Sequence, residues 1–214
     1  MRDRKEAGQL LAGALIARDG GLVDNPDVTV FGLARGGVPV AWEVAAALHA
    51  PLDACIIRKL GVPSSPELAL GAVAFGGSPT INRRVVSEYG VTEAQLRKVV
   101  EAETRELTRR EQAYRAGRPP PDIAGRIPIL VDDGLATGAT MRAAIEAARP
   151  LRPKRLIVAV GVAPHSAISE IAPLVDDVVC VSTPADFRAV GQWYQQFEQV
   201  SDATVCRLLA QTTS

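Results

Sequence analysis

The sequence has no excess charge of either sign, no paired cysteines, no long apolar run and no internal repeat. Lys plus Arg and Asp plus Glu number 24 each, so the formal net charge is zero. A neutral chain sets up no global field for holding DNA, RNA or an anionic membrane, and nucleic acid is not an expected partner. The three cysteines, Cys55, Cys180 and Cys206, are far apart, with neither a CxxC pair nor metal-ligand spacing. Scattered thiols in apolar surroundings are usually buried and reduced, which fits a reducing cytoplasm. No base or helix start stands beside them to make a nucleophile. The charged start Met1-Arg2-Asp3-Arg4-Lys5-Glu6 precedes an apolar stretch, residues 10–17, that is too short to span a bilayer and lacks a small-residue cleavage site. A soluble, cytoplasmic protein with no membrane contact is expected. Two nucleotide-binding loops are also missing: there is no Gly-Lys-Ser/Thr, and no G-x-G-x-x-G follows a strand.

What is present is a chain of 214 residues, 47% hydrophobic, enough for one substantial domain. Apolar strands are predicted at 28–33, 52–57, 127–131, 156–162 and 175–181, alternating with helices at 9–18, 38–48, 137–149 and 166–171. That alternation implies an α/β fold, a doubly wound, mainly parallel sheet covered by helices on both faces. A single domain over 1–214 is expected, with its core at about 28–183 and a hood or cap at about 184–214. Residues 61–67 carry two prolines and two serines and read as a mobile loop, followed by a hairpin of 68–75 and 80–86 around Gly76-Gly77-Ser78. Thr92-Glu93-Ala94-Gln95 has the form of a capping box and opens an inserted amphipathic helix, about 92–117, with Leu96, Val99, Val100, Leu107 and Tyr114 near one stripe. Its Arg- and Glu-rich face is an ordinary solvated surface. His49 and His165 fall at predicted helix ends, where capping or exposure accounts for them.

The chemistry concentrates in Val131-Asp132-Asp133-Gly134-Leu135-Ala136-Thr137-Gly138-Ala139-Thr140. An apolar strand delivers two carboxylates at its C-terminal end, where ligands gather in open α/β sheets. A small-residue loop then enters a helix, whose free N–H groups and dipole suit a dianionic phosphate. Gly138 permits close backbone approach, and the hydroxyls of Thr137 and Thr140 can donate to phosphate oxygens. Asp132 and Asp133 are placed to accept from vicinal ribose hydroxyls or to help hold Mg²⁺.

This segment resembles the signature of the type I phosphoribosyltransferases, which use phosphoribosyl pyrophosphate and Mg²⁺. Two further stretches extend the resemblance over roughly residues 28–165. Leu33-Ala34-Arg35-Gly36-Gly37 is similar to the family's pyrophosphate loop, which implies a cis peptide at Ala34–Arg35 and a pyrophosphate contact through Arg35, Gly36 and Gly37. Ile57-Arg58-Lys59-Leu60-Gly61 is similar to the Arg-Lys that opens the flexible catalytic loop of adenine phosphoribosyltransferase-like members. The resemblance implies catalytic roles for Asp132, Asp133, Arg58 and Lys59. It implies substrate binding by Gly134, Leu135, Ala136, Thr137, Gly138, Ala139 and Thr140, and Mg²⁺ held by Asp132 and Asp133 directly or through substrate or water. The expected ligands are phosphoribosyl pyrophosphate and a small nitrogenous base, a purine or a relative.

The receiving base stays open. Hypoxanthine-guanine enzymes carry an Asp where Ala136 stands, and a Lys near the end of the strand that matches 156–162, where this chain has Ala163-Pro164-His165. Pro184-Ala185-Asp186-Phe187-Arg188-Ala189-Val190-Gly191 is nonetheless similar to their purine-stacking hood, with Phe187 and Trp193 as candidate stacking surfaces. Glu67 is a candidate for the missing proton partner. Two other readings stand beside transfer: a regulatory protein that binds phosphoribosyl pyrophosphate or nucleotides and contacts RNA through the Arg-rich helix, and hydrolysis of a ribosyl phosphate. A homo-oligomer is neither implied nor excluded.

Overall fold

The computed structural model describes residues 1–74, 79–119 and 121–211, with Glu67 described by its backbone alone. In chain order the elements are α1 (Arg4–Arg18), β1 (Val28–Leu33), α2 (Gly37–Leu48), β2 (Leu52–Cys55), β3 (Ile57–Val62), β4 (Ser65–Ala74) and β5 (Thr80–Ile81). There follow α3 (Arg83–Glu88), α4 (Glu93–Arg115), β6 (Ile127–Gly134), α5 (Ala139–Ala148), β7 (Ile157–Val162), α6 (His165–Ile171), β8 (Asp177–Ser182) and α7 (Asp202–Gln211).

Five strands form a parallel sheet in the order β2-β1-β6-β7-β8. Its strands are apolar on both faces, as a sheet covered on both sides requires. Val28 and Val30, Ile129 and Val131, Ile157 and Ala159 face a core shared with Leu11 and Leu15 of α1 and Val40 and Val44 of α2. The intervening Phe31, Leu130, Val158 and Val160 face a second core with Met141, Ala144 and Ile145 of α5 and Ile171 of α6. The chain leaves β1 toward β2 on one side, and β6 lies on the other. The strand order therefore reverses between β1 and β6, and in open α/β sheets ligands bind at the carboxyl ends of strands at such a point.

Three expectations need correction. Residues 61–67 are not a loose loop: β3 and β4 run antiparallel, pairing Val62 with Ser65, and β5 completes a second, three-stranded sheet. Leu60, Val62 and Leu70 are fully buried there, as part of the larger core that α1 and α2 share, so the hairpin packs against the body of the fold. The run 52–57 divides at Ile56, with Ile57 already in the second sheet. The expected strand 80–86 stops at Ile81, because Asn82 caps α3 by accepting from the Val85 N–H. The turn expected at Gly76-Gly77-Ser78 lies outside the described residues.

The inserted helix is as expected. Gln95 N–H donates to Thr92 Oγ1 at 3.2 Å, and Thr92 N–H donates to Gln95 Oε1 at 2.9 Å, a complete capping box. Arg109 and Arg110 both pair with Glu106 and hold its carboxyl down at about 2, so this face neutralises itself. At its end, Arg115 is buried against Asp53 of β2 at 2.8 Å and fixes the helix to the sheet edge. No helix among the described residues is long and apolar enough to cross a membrane, and the three cysteines are free thiols.

Candidate sugar-phosphate site

Two connections meet at the reversal point. β1 ends at Leu33 and turns through Ala34, Arg35 and Gly36 into α2, with a cis peptide between Ala34 and Arg35. β6 runs on through Asp132 and Asp133 to Gly134, and α5 opens behind it with Gly138 as N-cap at φ 73°. Between them lies a cavity of about 480 Å³, lined by Leu33, Ala34, Arg35, Gly36, Asp132, Asp133 and Thr140 from these connections. The helix α5 starts two residues later than predicted, because Gly138 adopts a left-handed cap and Ala139 N–H leans on Thr137 Oγ1 at 3.4 Å.

The same cavity has a wall that sequence reasoning missed. Arg4, Phe197, Gln199 and Val200 line its opposite side. In the segments that carry them, Gln195 N–H donates to Met1 O at 3.1 Å and Gln196 N–H to Arg2 O at 2.8 Å. Arg4 Nε donates to Asp133 Oδ2 at 2.8 Å and Nη1 to the Glu198 carbonyl at 2.8 Å. The guanidinium carbon sits 4.0 Å from the centre of the Phe197 ring, within cation–π range, and Tyr194 stacks on the same residue at 5.0 Å. The Tyr194 hydroxyl donates to the Asp133 carbonyl at 2.6 Å, in a niche where a Cβ on Gly161 would lie 2.4 Å from the hydroxyl oxygen. Burial pushes the Tyr194 phenol up, so it stays a donor at neutral pH. Tyr194→Phe is expected to lose about 1–2 kcal/mol of stability, the cost of leaving a buried acceptor short of a donor, measured by denaturant unfolding.

The acids differ in their surroundings. Asp133 is buried, and Asp132 is part-buried with its Oδ1 accepting from the Asp133 N–H at 2.9 Å. Burial first, and the neighbouring Asp133 charge second, push the Asp132 carboxyl well above its ordinary range, while Arg4 opposes the shift. Two carboxylates this close resist full ionisation unless a cation or hydroxyl donors arrive. The residues fit a metal ion only in part. No group of three or more His, Cys, Asp or Glu among the described residues could hold one, and one of the two acids is already paired with Arg4. The donor set suits Mg²⁺ that arrives on a phosphate ligand rather than a resident ion.

Other expected site residues lie apart. Arg58 pairs with Glu103 of α4 at 2.6 Å, and with Lys59 it lines a separate cavity of about 570 Å³ between the β3–β4 hairpin and α4. Thr137 and Ala139 border a third cavity, of about 540 Å³, beside β4 and β5. Gly37 backs the acids from the start of α2, where a Cβ would meet Asp132 Oδ1 at 3.0 Å. Gly134 is part-buried in the strand, Leu135 is buried, and Ala136 is exposed at the turn. Phe187 and Trp193 pack at the edge of the larger core, and the aromatic ring at the cavity is Phe197. Glu67 lies in β4, its side chain outside the described residues.

A doubly wound sheet with a glycine loop after its first strand, and paired acids before a small-residue helix start, defines a class of sugar-phosphate-binding domains. The phosphoribosyl transferase domain family matches residues 3–196. In two strains of Mycobacterium tuberculosis, CDC 1551 / Oshkosh and H37Rv, a protein provisionally named phosphoribosyl transferase is 44% identical over 207 residues, 97% of this chain. The chain spans about half the length of these curated relatives, 46%. The crystal structure of TT1426 from Thermus thermophilus superposes with a TM-score of 0.85 at 39% identity, covering all of both chains. This chain belongs to the phosphoribosyl transferase domain family.

Proposed function

We propose that this domain transfers the 5-phosphoribosyl group from phosphoribosyl pyrophosphate to a nitrogenous base, a purine or a relative, in the cytoplasm, with release of pyrophosphate. The reading is carried by the meeting of the Ala34–Gly36 loop, Asp132, Asp133 and Thr140 around one cavity. In it, the start of α5 from Gly138 to Thr140 receives the 5-phosphate, at the positive end of the helix. Asp132 and Asp133 accept from ribose hydroxyls, and their charge favours the cationic sugar that forms as the C1–oxygen bond breaks. The loop of Arg35, Gly36 and Gly37 takes the leaving pyrophosphate through backbone N–H groups and the Arg35 guanidinium, which lies 3.8 Å from Asp202 of α7. Mg²⁺, held through Asp132 and Asp133 by way of substrate or water, would offset charge on the pyrophosphate. Arg58 and Lys59 reach this chemistry only through movement of the β3–β4 hairpin, a closure that would exclude water from the reacting sugar.

The test is incubation with phosphoribosyl pyrophosphate, Mg²⁺ and a panel of bases, with pyrophosphate as readout. Release that depends on one base supports transfer. Release without any base points to hydrolysis, and binding without turnover to a regulatory protein. Within this reading Thr140→Ala, at the cavity wall, is expected to weaken phosphoribosyl pyrophosphate binding by about 1–3 kcal/mol, through a lost hydrogen bond to a charged phosphate, measured by calorimetry.

A further inference from the structure

Arg4 stands 129 residues from the acid it contacts, yet it is placed with little freedom. It is the first residue of α1, which Asp3 caps by accepting from the Glu6 N–H at 2.8 Å, and the next turns bury Ala7, Leu11 and Leu15. Its side chain is 13% exposed and that of Asp133 11%, so this is not a solvated surface pair. Arginine fits the position for a physical reason: one planar guanidinium reaches Asp133, the Glu198 carbonyl and the face of Phe197 together, which an ammonium cannot do.

The contact also divides the two oxygens of Asp133. Oδ2 is wedged between Arg4 Nε and the backbone of Gly36, where even a Cβ would come within 2.3 Å. Oδ1 is left out of the Arg4 hydrogen bond, and Asp133 lines the cavity. We propose that Arg4 is a positioning residue that locks the Asp133 carboxylate by Oδ2 and so leaves Oδ1 set for one ribose hydroxyl. This inference rests on the sugar-binding role of the acids given above. Arg4 itself does no chemistry; it acts through Asp133, beside the segment in which Gln195 and Gln196 pair with Met1 and Arg2. A contact that only joined these two segments would stabilise the domain without affecting which sugar it prefers.

That difference is the test. The full chain is titrated calorimetrically with ribose 5-phosphate, its 2-deoxy and 3-deoxy counterparts, and inorganic phosphate, for wild type, Arg4→Ala and Arg4→Gln. Wild type is expected to prefer the ribose ligand over each deoxy form by about tenfold or more, the scale of a hydrogen bond to a charged group. Both variants are expected to lose that preference at one of the two hydroxyls, while affinity for inorganic phosphate stays within about twofold, since the helix start that holds phosphate is unchanged. Should Arg4→Ala fail to melt cooperatively, Arg4→Gln carries the comparison, because its stem still packs on Phe197. Variants that keep the wild-type preference at both hydroxyls overturn the role of Arg4 and leave the proposed function standing. A wild type that shows no preference at either hydroxyl removes the sugar-binding role of the acids, and with it this inference.

Discussion

Asparagine at both Asp132 and Asp133 is expected to abolish base-dependent pyrophosphate release while the domain stays folded. The two changes conserve shape, and the Asp132 side chain keeps an oxygen for the Asp133 N–H. What they remove is negative charge beside the cavity that the cationic sugar would occupy, and preorganised charge of this kind is usually the largest catalytic term. Loss of about a thousandfold or more in kcat is expected. Stability divides between the positions. The Asp132 carboxyl is pushed up by burial, so the folded state disfavours its ionised form, and the cost it brings to the fold appears as pH rises through that raised pKa. Asp132→Asn alone is therefore expected to melt no lower than wild type at pH 8 while losing activity. Asp133→Asn should melt lower, because it leaves Arg4 without its anionic partner. Calorimetric melts and a pyrophosphate assay on the same samples read both; turnover like wild type in the double variant would remove the acids from the mechanism.

The parts legible in the sequence are those that a local pattern determines. The six residues Val28–Leu33 are all buried, as a short, mainly apolar run bounded by turn residues requires of a strand covered on both faces. The capping box needs only Thr92 and Gln95, three residues apart, and it formed. Asp132 and Asp133 lie where the strand that carries them must end, and the glycine loop follows β1 directly. What stayed hidden depends on contacts between distant segments. Arg4 sits in a charged start that resembles any solvated helix opening, and nothing near it points to Asp133. Phe197 and Tyr194 stand in a tail of Gln and scattered apolar residues, so Phe187 and Trp193 drew attention through their likeness to a hood segment, while packing put Phe197 at the cavity. Pro63 and Ser64 fall within the loop expected at 61–67, although two residues are enough to turn β3 into β4. Its burial comes from Leu60, Val62 and Leu70, whose spacing reports a strand only once the partner strand is known.

Adding one methyl group at each of two adjacent glycines should separate folding from function. Gly36 and Gly37 both face the β6 acids, but they meet different kinds of atom. A Cβ at Gly37 would lie 2.4 Å from the Val131 carbonyl oxygen and 2.9 Å from the Asp132 Cα, backbone that the central strand cannot move. Relief would require α2 to shift away from β6, opening the core that Val38, Val40 and Val44 fill. Gly37→Ala is expected to cost about 3 kcal/mol or more, as overpacking against fixed neighbours does, and to lower the melting temperature markedly. At Gly36 the nearest atom is Asp133 Oδ2, at 2.3 Å, the end of a side chain that can rotate. The backbone at Gly36 is ordinary right-handed helix, φ −58° and ψ −36°, so alanine brings no conformational cost of its own. Gly36→Ala is therefore expected to displace the carboxylate from Arg4 and to melt lower than wild type only by the loss of that pair, well above Gly37→Ala, with a fall in affinity for phosphoribosyl pyrophosphate of about tenfold or more. If Gly36→Ala kept full affinity, Asp133 would not need the orientation seen here; if Gly37→Ala melted like wild type, the close approach of α2 to β6 would not be what joins the Ala34–Gly36 turn to the acids.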